Sequence, residues 1–211
     1  RQAMAIGTAG YTAMLSVMRV QEYGVQPGDG PVLVTGGNGG VGSIAIALLA
    51  RLGYTVHTST GRLNEAAHLK ALGASELIDR AELNGPGRPL QKERWAAAVD
   101  SVGSHTLANV CASVRYGGVV TACGLAQGMD FPATVAPFIL RGVALMGVDS
   151  QHLAPEARQD LWRSMAQSPA VKRALATPGL VTEVGLDELE EQVERILAGK
   201  VMGRVVVRLL P

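Results

Sequence analysis

Gly37, Gly39 and Gly42 stand in the spacing G-x-G-x-x-G, inside the cluster Gly36-Gly37-Asn38-Gly39-Gly40-Val41-Gly42. Glycines so spaced can hold a pyrophosphate. The first permits a tight turn, the second lets backbone approach the phosphates with no Cβ in the way, and the third lets the following helix pack closely on its strand. A helix starting there presents unpaired N–H groups and a partial positive charge to an anion. The spacing alone is weak, because a plain structural turn uses the same residues; the flanks weigh against that alternative. Val32 to Thr35 reads as a short apolar strand before the cluster, and Ser43 to Leu52 as a helix after it, with Gly53 at its C-terminal stop. Tyr54 to Thr60 is a second β-rich run, so the stretch is one strand–turn–helix–strand unit.

Rival phosphate motifs fail on the same residues. A P-loop needs Lys after its last glycine, and Ser43 follows Gly42. Thr35, Gly36, Gly40 and Gly42 also fit the pattern of the short-chain dehydrogenases, which pair a Tyr with a Lys four residues on. Here Tyr11, Tyr23, Tyr54 and Tyr116 are followed at that distance by Leu15, Pro27, Thr58 and Val120. A methyltransferase would carry an acidic residue at the end of the second strand, and none is present.

That absence also bears on the cofactor. An NAD site places Asp or Glu about 20 residues beyond the glycines, on the ribose 2′-OH. This chain has Ser59, Thr60, Gly61 and Arg62 there, and the first acidic residue is Glu65. Hydroxyls with a guanidinium suit a 2′-phosphate, which favours NADPH over NADH. A solvated arginine at a strand end is the alternative for Arg62 alone.

The surrounding chain must position these groups. After the second strand, Asn64 can cap a helix ending near Leu72 with Gly73 as its stop, and Glu76 to Asp79 is the next strand. A polar loop over 84–89 leads to a buried strand, Trp95 to Asp100. Ser104 then caps a helix carrying Leu107, Val110, Cys111 and Val114 on one face. Gly117 to Gly124 and Val143 to Val148 read as further strands. Strands alternating with helices, several of them apolar throughout, predict an α/β fold: a doubly wound parallel sheet of the Rossmann kind, over residues 1–177. The residues before it form two helical stretches on either side of Gly7 to Gly10, the second running to about Tyr23. A chain that starts inside a helix reads as a piece of a longer one.

The tail is different. Pro155 opens a helix, and a loop is expected through Pro169 and Pro178-Gly179. Asp187-Glu188-Leu189-Glu190 resembles a capping box. Leu189, Val193, Ile196 and Leu197 form an apolar stripe, and a last strand runs from Arg204 to Leu209. This strand–helix–strand segment should pack against something outside the sequence.

Composition excludes several classes. The chain has 211 residues, 47% hydrophobic and 18% charged, with a net charge of +1, so charge implies neither nucleic acid nor an anionic membrane as partner. Aromatic residues, at 4%, are too few for a base-stacking platform. Cys111 and Cys123 read as small buried thiols of an intracellular, cytoplasmic protein. His57, His68, His105 and His152 lack metal-ligand spacing, so no zinc is expected. No apolar run reaches membrane-spanning length.

Taken together, MAIGTAGYTA at 4–13, VTGGNGGVGS at 34–43, TGR at 60–62 and LGAS at 72–75 resemble the medium-chain dehydrogenase/reductase superfamily in its zinc-free quinone oxidoreductase branch, and most closely the acrylyl-CoA reductases. YGG at 116–118, ACGL at 122–125, PFILRGV at 137–143, GVDS at 147–150 and GR at 203–204 continue the resemblance across the chain. One departure is Gly37-Asn38, where relatives often have Ala-Ser. The resemblance implies a GroES-like catalytic domain into which the dinucleotide domain is inserted, with residues 178–211 as its returning C-terminal piece and its N-terminal part missing. It further implies that Gly39, Gly40, Val41 and Gly42 hold the pyrophosphate, and that Thr60, Gly61, Arg62 and Arg80 surround the 2′-phosphate. Leu125, Ile139 and Ser150 would line the nicotinamide side, with core packing the alternative for Leu125 and Ile139, and Arg204 would approach cofactor or substrate. The strand Val143 to Val148 would pair with its twin in a homodimer. The implied activity is NADPH-dependent reduction of the C=C bond of an enoyl-CoA, with quinone or enone reduction, or a non-catalytic NADP-binding module, as the other readings.

Overall fold

The computed structural model describes residues 1–209. Six strands form one sheet: β1 (Val32–Val34), β2 (Val56–Thr60), β3 (Ala74–Asp79), β4 (Trp95–Asp100), β5 (Val114–Ala122) and β6 (Ala144–Gly147). Their order is β3-β2-β1-β4-β5-β6 and every neighbouring pair is parallel. This is the doubly wound Rossmann order. The winding direction reverses between β1 and β4, which opens a crevice beyond their C-terminal ends.

Helices cover both faces, because strands with apolar residues on both sides can be stable only when both are buried. All six residues of β4 are buried. Val32 and Val34 of β1 join one core with helices α1 (Gln2–Glu22), α2 (Gly40–Arg51), α3 (Ala66–Leu72), α6 (Pro155–Gln167) and α7 (Pro169–Ala176). Leu33, between them, points to the other core, built from Trp95, Ala98 and Val120 with α4 (Ser104–Ser113) and α5 (Ala136–Arg141). The period-2 alternation of β1 is thus divided between two apolar layers.

Several local expectations are corrected. The expected loop through Pro169 contains α7: Pro169 takes the first helical position, where a missing N–H is harmless, and Ser168 Oγ accepts from Val171 N at 3.4 Å. Helix α2 begins at Gly40, three residues before the expected Ser43, because the glycine turn itself winds into the first helical turn. Asn64 caps nothing. It lies inside a 3₁₀ turn, Leu63–Glu65, that precedes α3. Ser104 is the first residue of α4 rather than its cap, and Gln127 Oε1 accepts from Thr106 N at 3.1 Å instead.

The tail forms its own two-stranded parallel sheet, β7 (Val181–Val184) with β8 (Arg204–Val207), joined by α8 (Leu189–Leu197). The capping box does not form, since Glu188 holds the cap position and its carboxylate accepts from Gly185 N. The apolar stripe of α8 faces out, with Leu197 82% exposed. The last two positions of the expected 178–211 segment lie outside the described residues.

Candidate functional site

The chain leaves β1 at Val34, turns at Gly36 and enters α2 through Gly39. Gly36 has φ +64°, so the positive-φ role expected of the first motif glycine falls one residue earlier than Gly37. Gly37 is instead a packing position, where a Cβ would overlap the Thr58 hydroxyl of β2. Gly42 behaves as expected: a Cβ there would overlap the Gly36 carbonyl, so only glycine lets α2 sit this close to the turn. Ser43 N bonds back to Gly39 O at 3.0 Å. The N–H groups of Gly40, Val41 and Gly42, in the first helical turn, are left without carbonyl partners. Val41 offers its N–H only, for its side chain packs on the core.

Beyond the turn lies a cleft of about 470 Å³. Asn38 and Gly39 line it from the turn, and Thr60, Gly61 and Arg62 from the end of β2. Arg80 enters from the end of β3, Ser101 and Val102 follow β4, and Ala198 and Gly199 belong to the tail. A groove of similar size, about 510 Å³, lies by Gly85, Gly87 and Asn109. It holds none of the candidate residues and is not at the switch point, so the first cleft is the candidate site.

At the adenosine end the side chains form one network. Thr60 Oγ1 donates to Asn38 Oδ1 at 2.5 Å and accepts from Arg62 N at 3.0 Å. Asn38 Nδ2 donates to the Glu65 carboxylate, and Arg62 Nε lies 3.2 Å from the same carboxylate oxygen. The tail closes on this network: Arg62 Nη2 donates to Val201 O at 3.0 Å, and Gly203 N donates to Asn38 O at 2.7 Å. Arg80 lies across Gly61, where a Cβ would meet its Nε at 2.5 Å. Four of the residues expected around a 2′-phosphate therefore converge. Asn38 and Glu65 were not singled out from sequence, since only the fold returns them to the strand end.

The floor of the crevice is held by Asp100, fully buried at the end of β4. Its carboxylate accepts from Thr35 Oγ1 at 2.7 Å, Gly103 N at 2.8 Å and Val102 N at 3.2 Å. One side chain thereby ties the end of β1 to the loop after β4. Burial outweighs these three donors and lifts its carboxyl above the ordinary range.

Arg204 comes from β8 to the start of α2. Its Nε donates to Ala5 O at 3.0 Å, and its side chain lies over Gly40, where a Cβ would meet Cδ at 2.9 Å. It has no carboxylate partner among the described residues, and burial lowers its pKa. A half-buried cation beside the positive end of a helix calls for an anion between them.

Leu125, Ile139 and Ser150 are not brought into the cleft. Leu125 and Ile139 are 58% and 73% exposed, which removes core packing as their explanation. Burial pushes the Cys111 thiol up to about 12 and the Cys123 thiol up to about 11, which disfavours the reactive thiolate at both. Among the described residues no three His, Cys, Asp or Glu side chains come close enough to share a cation, and no helix is long and apolar enough to cross a membrane.

The family model described as zinc-binding dehydrogenase matches residues 40–167. The acrylyl-CoA reductase AcuI of Ruegeria pomeroyi is 48% identical over 208 residues, a match covering 98% of this chain and 62% of that protein. The structure of Escherichia coli K-12 YhdH with bound NADPH superposes with a TM-score of 0.90 at 46% identity, over 99% of this chain and 63% of that one. Bacillus subtilis YhfP, solved with NAD bound, gives 0.89 at 43% identity with the same coverage, 99% and 63%. The chain thus spans a little under two thirds of the length of these relatives.

Proposed function

As the chain belongs to the zinc-binding dehydrogenase family, in the zinc-independent branch of the medium-chain dehydrogenases and reductases, we propose that its cleft takes NADPH and serves an oxidoreductase that reduces the C=C bond of an α,β-unsaturated acyl-CoA. The observation that carries the cofactor is the convergence of Arg62 and Arg80 beside Thr60 and Gly61, at the end of β2. Two cations and a hydroxyl suit a phosphate better than a ribose diol. The relatives alone leave the choice open, one having been solved with NADPH and another with NAD. The acyl-CoA substrate is supported by the activity for which the Ruegeria relative is named.

The residues divide the work as follows. The N–H groups of Gly40, Val41 and Gly42 would receive the pyrophosphate, with Arg204 beside them, and Arg62 and Arg80 would hold the 2′-phosphate near Gly61. Asp100, through Thr35 and Val102, keeps the two walls of the crevice at a fixed separation. Leu125, Ile139 and Ser150 belong to the nicotinamide side, which is completed outside this cleft. When bound, the dinucleotide would supply the hydride for that reduction. In the zinc-independent branch, polarisation of the thioester carbonyl would fall to hydrogen-bond donors and positive charge.

The tail from Pro178 is read as the returning segment of a GroES-like catalytic domain, which the exposed stripe on α8 supports. The edge strand β6, bonded on one side to β5, is read as the pairing strand of a homodimer. The test of the activity is NADPH consumption by the gene product carrying this chain, with acrylyl-CoA and with a simple quinone. Turnover of acrylyl-CoA is expected; turnover of the quinone alone would overturn the acyl-CoA reading.

A further inference from the structure

The acidic residue that an NAD site needs is missing from the end of β2, and the one the structure brings nearest, Glu65, stands behind the cleft wall, touching Asn38 and Arg62, which line it. Glu65 closes the 3₁₀ turn after Arg62, and its side chain is 29% exposed. It accepts from Asn38 Nδ2 and lies 3.2 Å from Arg62 Nε. The Arg62 guanidinium is therefore partly spoken for: Nε faces Glu65 and Nη2 donates to Val201 O, which leaves Nη1 without a partner among the described residues. Arg80 makes no ion pair among the described residues and remains a free cation.

The two possible ligands meet this arrangement differently. A 2′-phosphate is drawn by two arginines but repelled by Glu65, which also competes for Arg62. An unphosphorylated ribose carries no charge and loses nothing to Glu65. We propose that Glu65 is a specificity-determining residue acting through Arg62: its carboxylate holds that guanidinium and draws its charge away from a 2′-phosphate, so that the site takes NADH as well as NADPH. This rests on the dinucleotide reading above and deepens it. Asn38 is the positioning residue, since its amide fixes Thr60 on one side and Glu65 on the other.

The experiment is a nicotinamide-fluorescence titration of the chain with NADPH and with NADH, for wild type, Glu65→Gln and Glu65→Asp. The carboxamide oxygen of Gln can still accept from Asn38, so Glu65→Gln removes the charge and keeps the contact. The expected result is that NADPH binds more tightly while NADH changes little, raising the preference for NADPH roughly tenfold. Glu65→Asp should fall between the other two. A merely structural role would weaken both ligands together and leave the ratio unchanged. An unchanged ratio, with both ligands bound, overturns the role of Glu65 and leaves the dinucleotide reading standing. Binding of neither ligand by the wild type overturns that reading, and the role of Glu65 with it.

Discussion

Removing the Asp100 carboxylate should be far more damaging than neutralising it. The side chain is fully buried and accepts three hydrogen bonds, two of them from the backbone N–H groups of Val102 and Gly103. In Asp100→Ala those two donors lose their acceptor, Gly103 N in a buried position and Val102 N at the wall of the cleft. Each orphaned buried donor costs roughly 1–3 kcal/mol, and relief of the carboxylate's own desolvation offsets part of the sum, so a net loss of about 3 kcal/mol is expected. For a chain of this size that is a fall of roughly 6–12 °C in melting temperature. In Asp100→Asn the amide oxygen can keep both N–H bonds. The amide N–H₂ then turns toward Thr35 Oγ1, which already accepts from Ser101 N at 3.0 Å. One hydroxyl hydrogen is displaced, for about 1 kcal/mol or roughly 2–4 °C.

The pH dependence has a definite sign. Burial raises the Asp100 pKa above the ordinary carboxylate value. Its contribution to stability is therefore fully present below that ordinary value and is lost as pH rises through the raised one. The deficit of Asp100→Asn relative to wild type should shrink over that same rise. Thermal melts followed by circular dichroism, at several pH values, measure all of this. Asp100→Ala melting within about 1 °C of wild type, or Asp100→Asn as unstable as Asp100→Ala, would refute the assignment of Asp100 as the tie across the crevice.

Gly42→Ala should abolish dinucleotide binding and lower the melting temperature, because a Cβ has no space against the Gly36 carbonyl; a variant that binds normally would contradict the packing of α2 on its turn. Leu197→Ser should leave stability within about 0.5 kcal/mol of wild type in a thermal melt, since Leu197 is 82% exposed in this chain. His57 has a lowered pKa, first through burial and against the pull of Glu76, so the stability tied to its neutral form is present above the ordinary value of 6.5 and is lost as pH falls below it. Urea melts on either side of that value should show a steeper acid loss in wild type than in His57→Gln.

The sheet was legible because β4 is a bounded apolar run and because the glycine turn sits between a strand and a helix. Those patterns record burial and turn geometry, which local sequence carries. Helix α7 was hidden because Pro169 and Pro178 both read as loop punctuation, although a proline in the first helical turn is no obstacle. The motif spacing points to Gly37 as the turn glycine, but the turn lies at Gly36, and no spacing rule separates two adjacent glycines. Arg62 could be found by type and distance from the motif. Glu65 and Asn38 could not, for their meeting depends on a 3₁₀ turn folding the chain back across the end of β2. Arg204, brought in from the tail, was reachable only through family resemblance.

If the 2′-phosphate of a bound dinucleotide meets Arg62, a parallel titration with NADPH and NADH should show tighter binding of NADPH by the wild type. In Arg62→Ala, NADPH should weaken roughly 10- to 100-fold while NADH changes little, the mark of losing a charge-assisted contact to phosphate. An NADPH preference that survives Arg62→Ala undiminished, or the absence of any dinucleotide binding, would contradict this reading of Arg62.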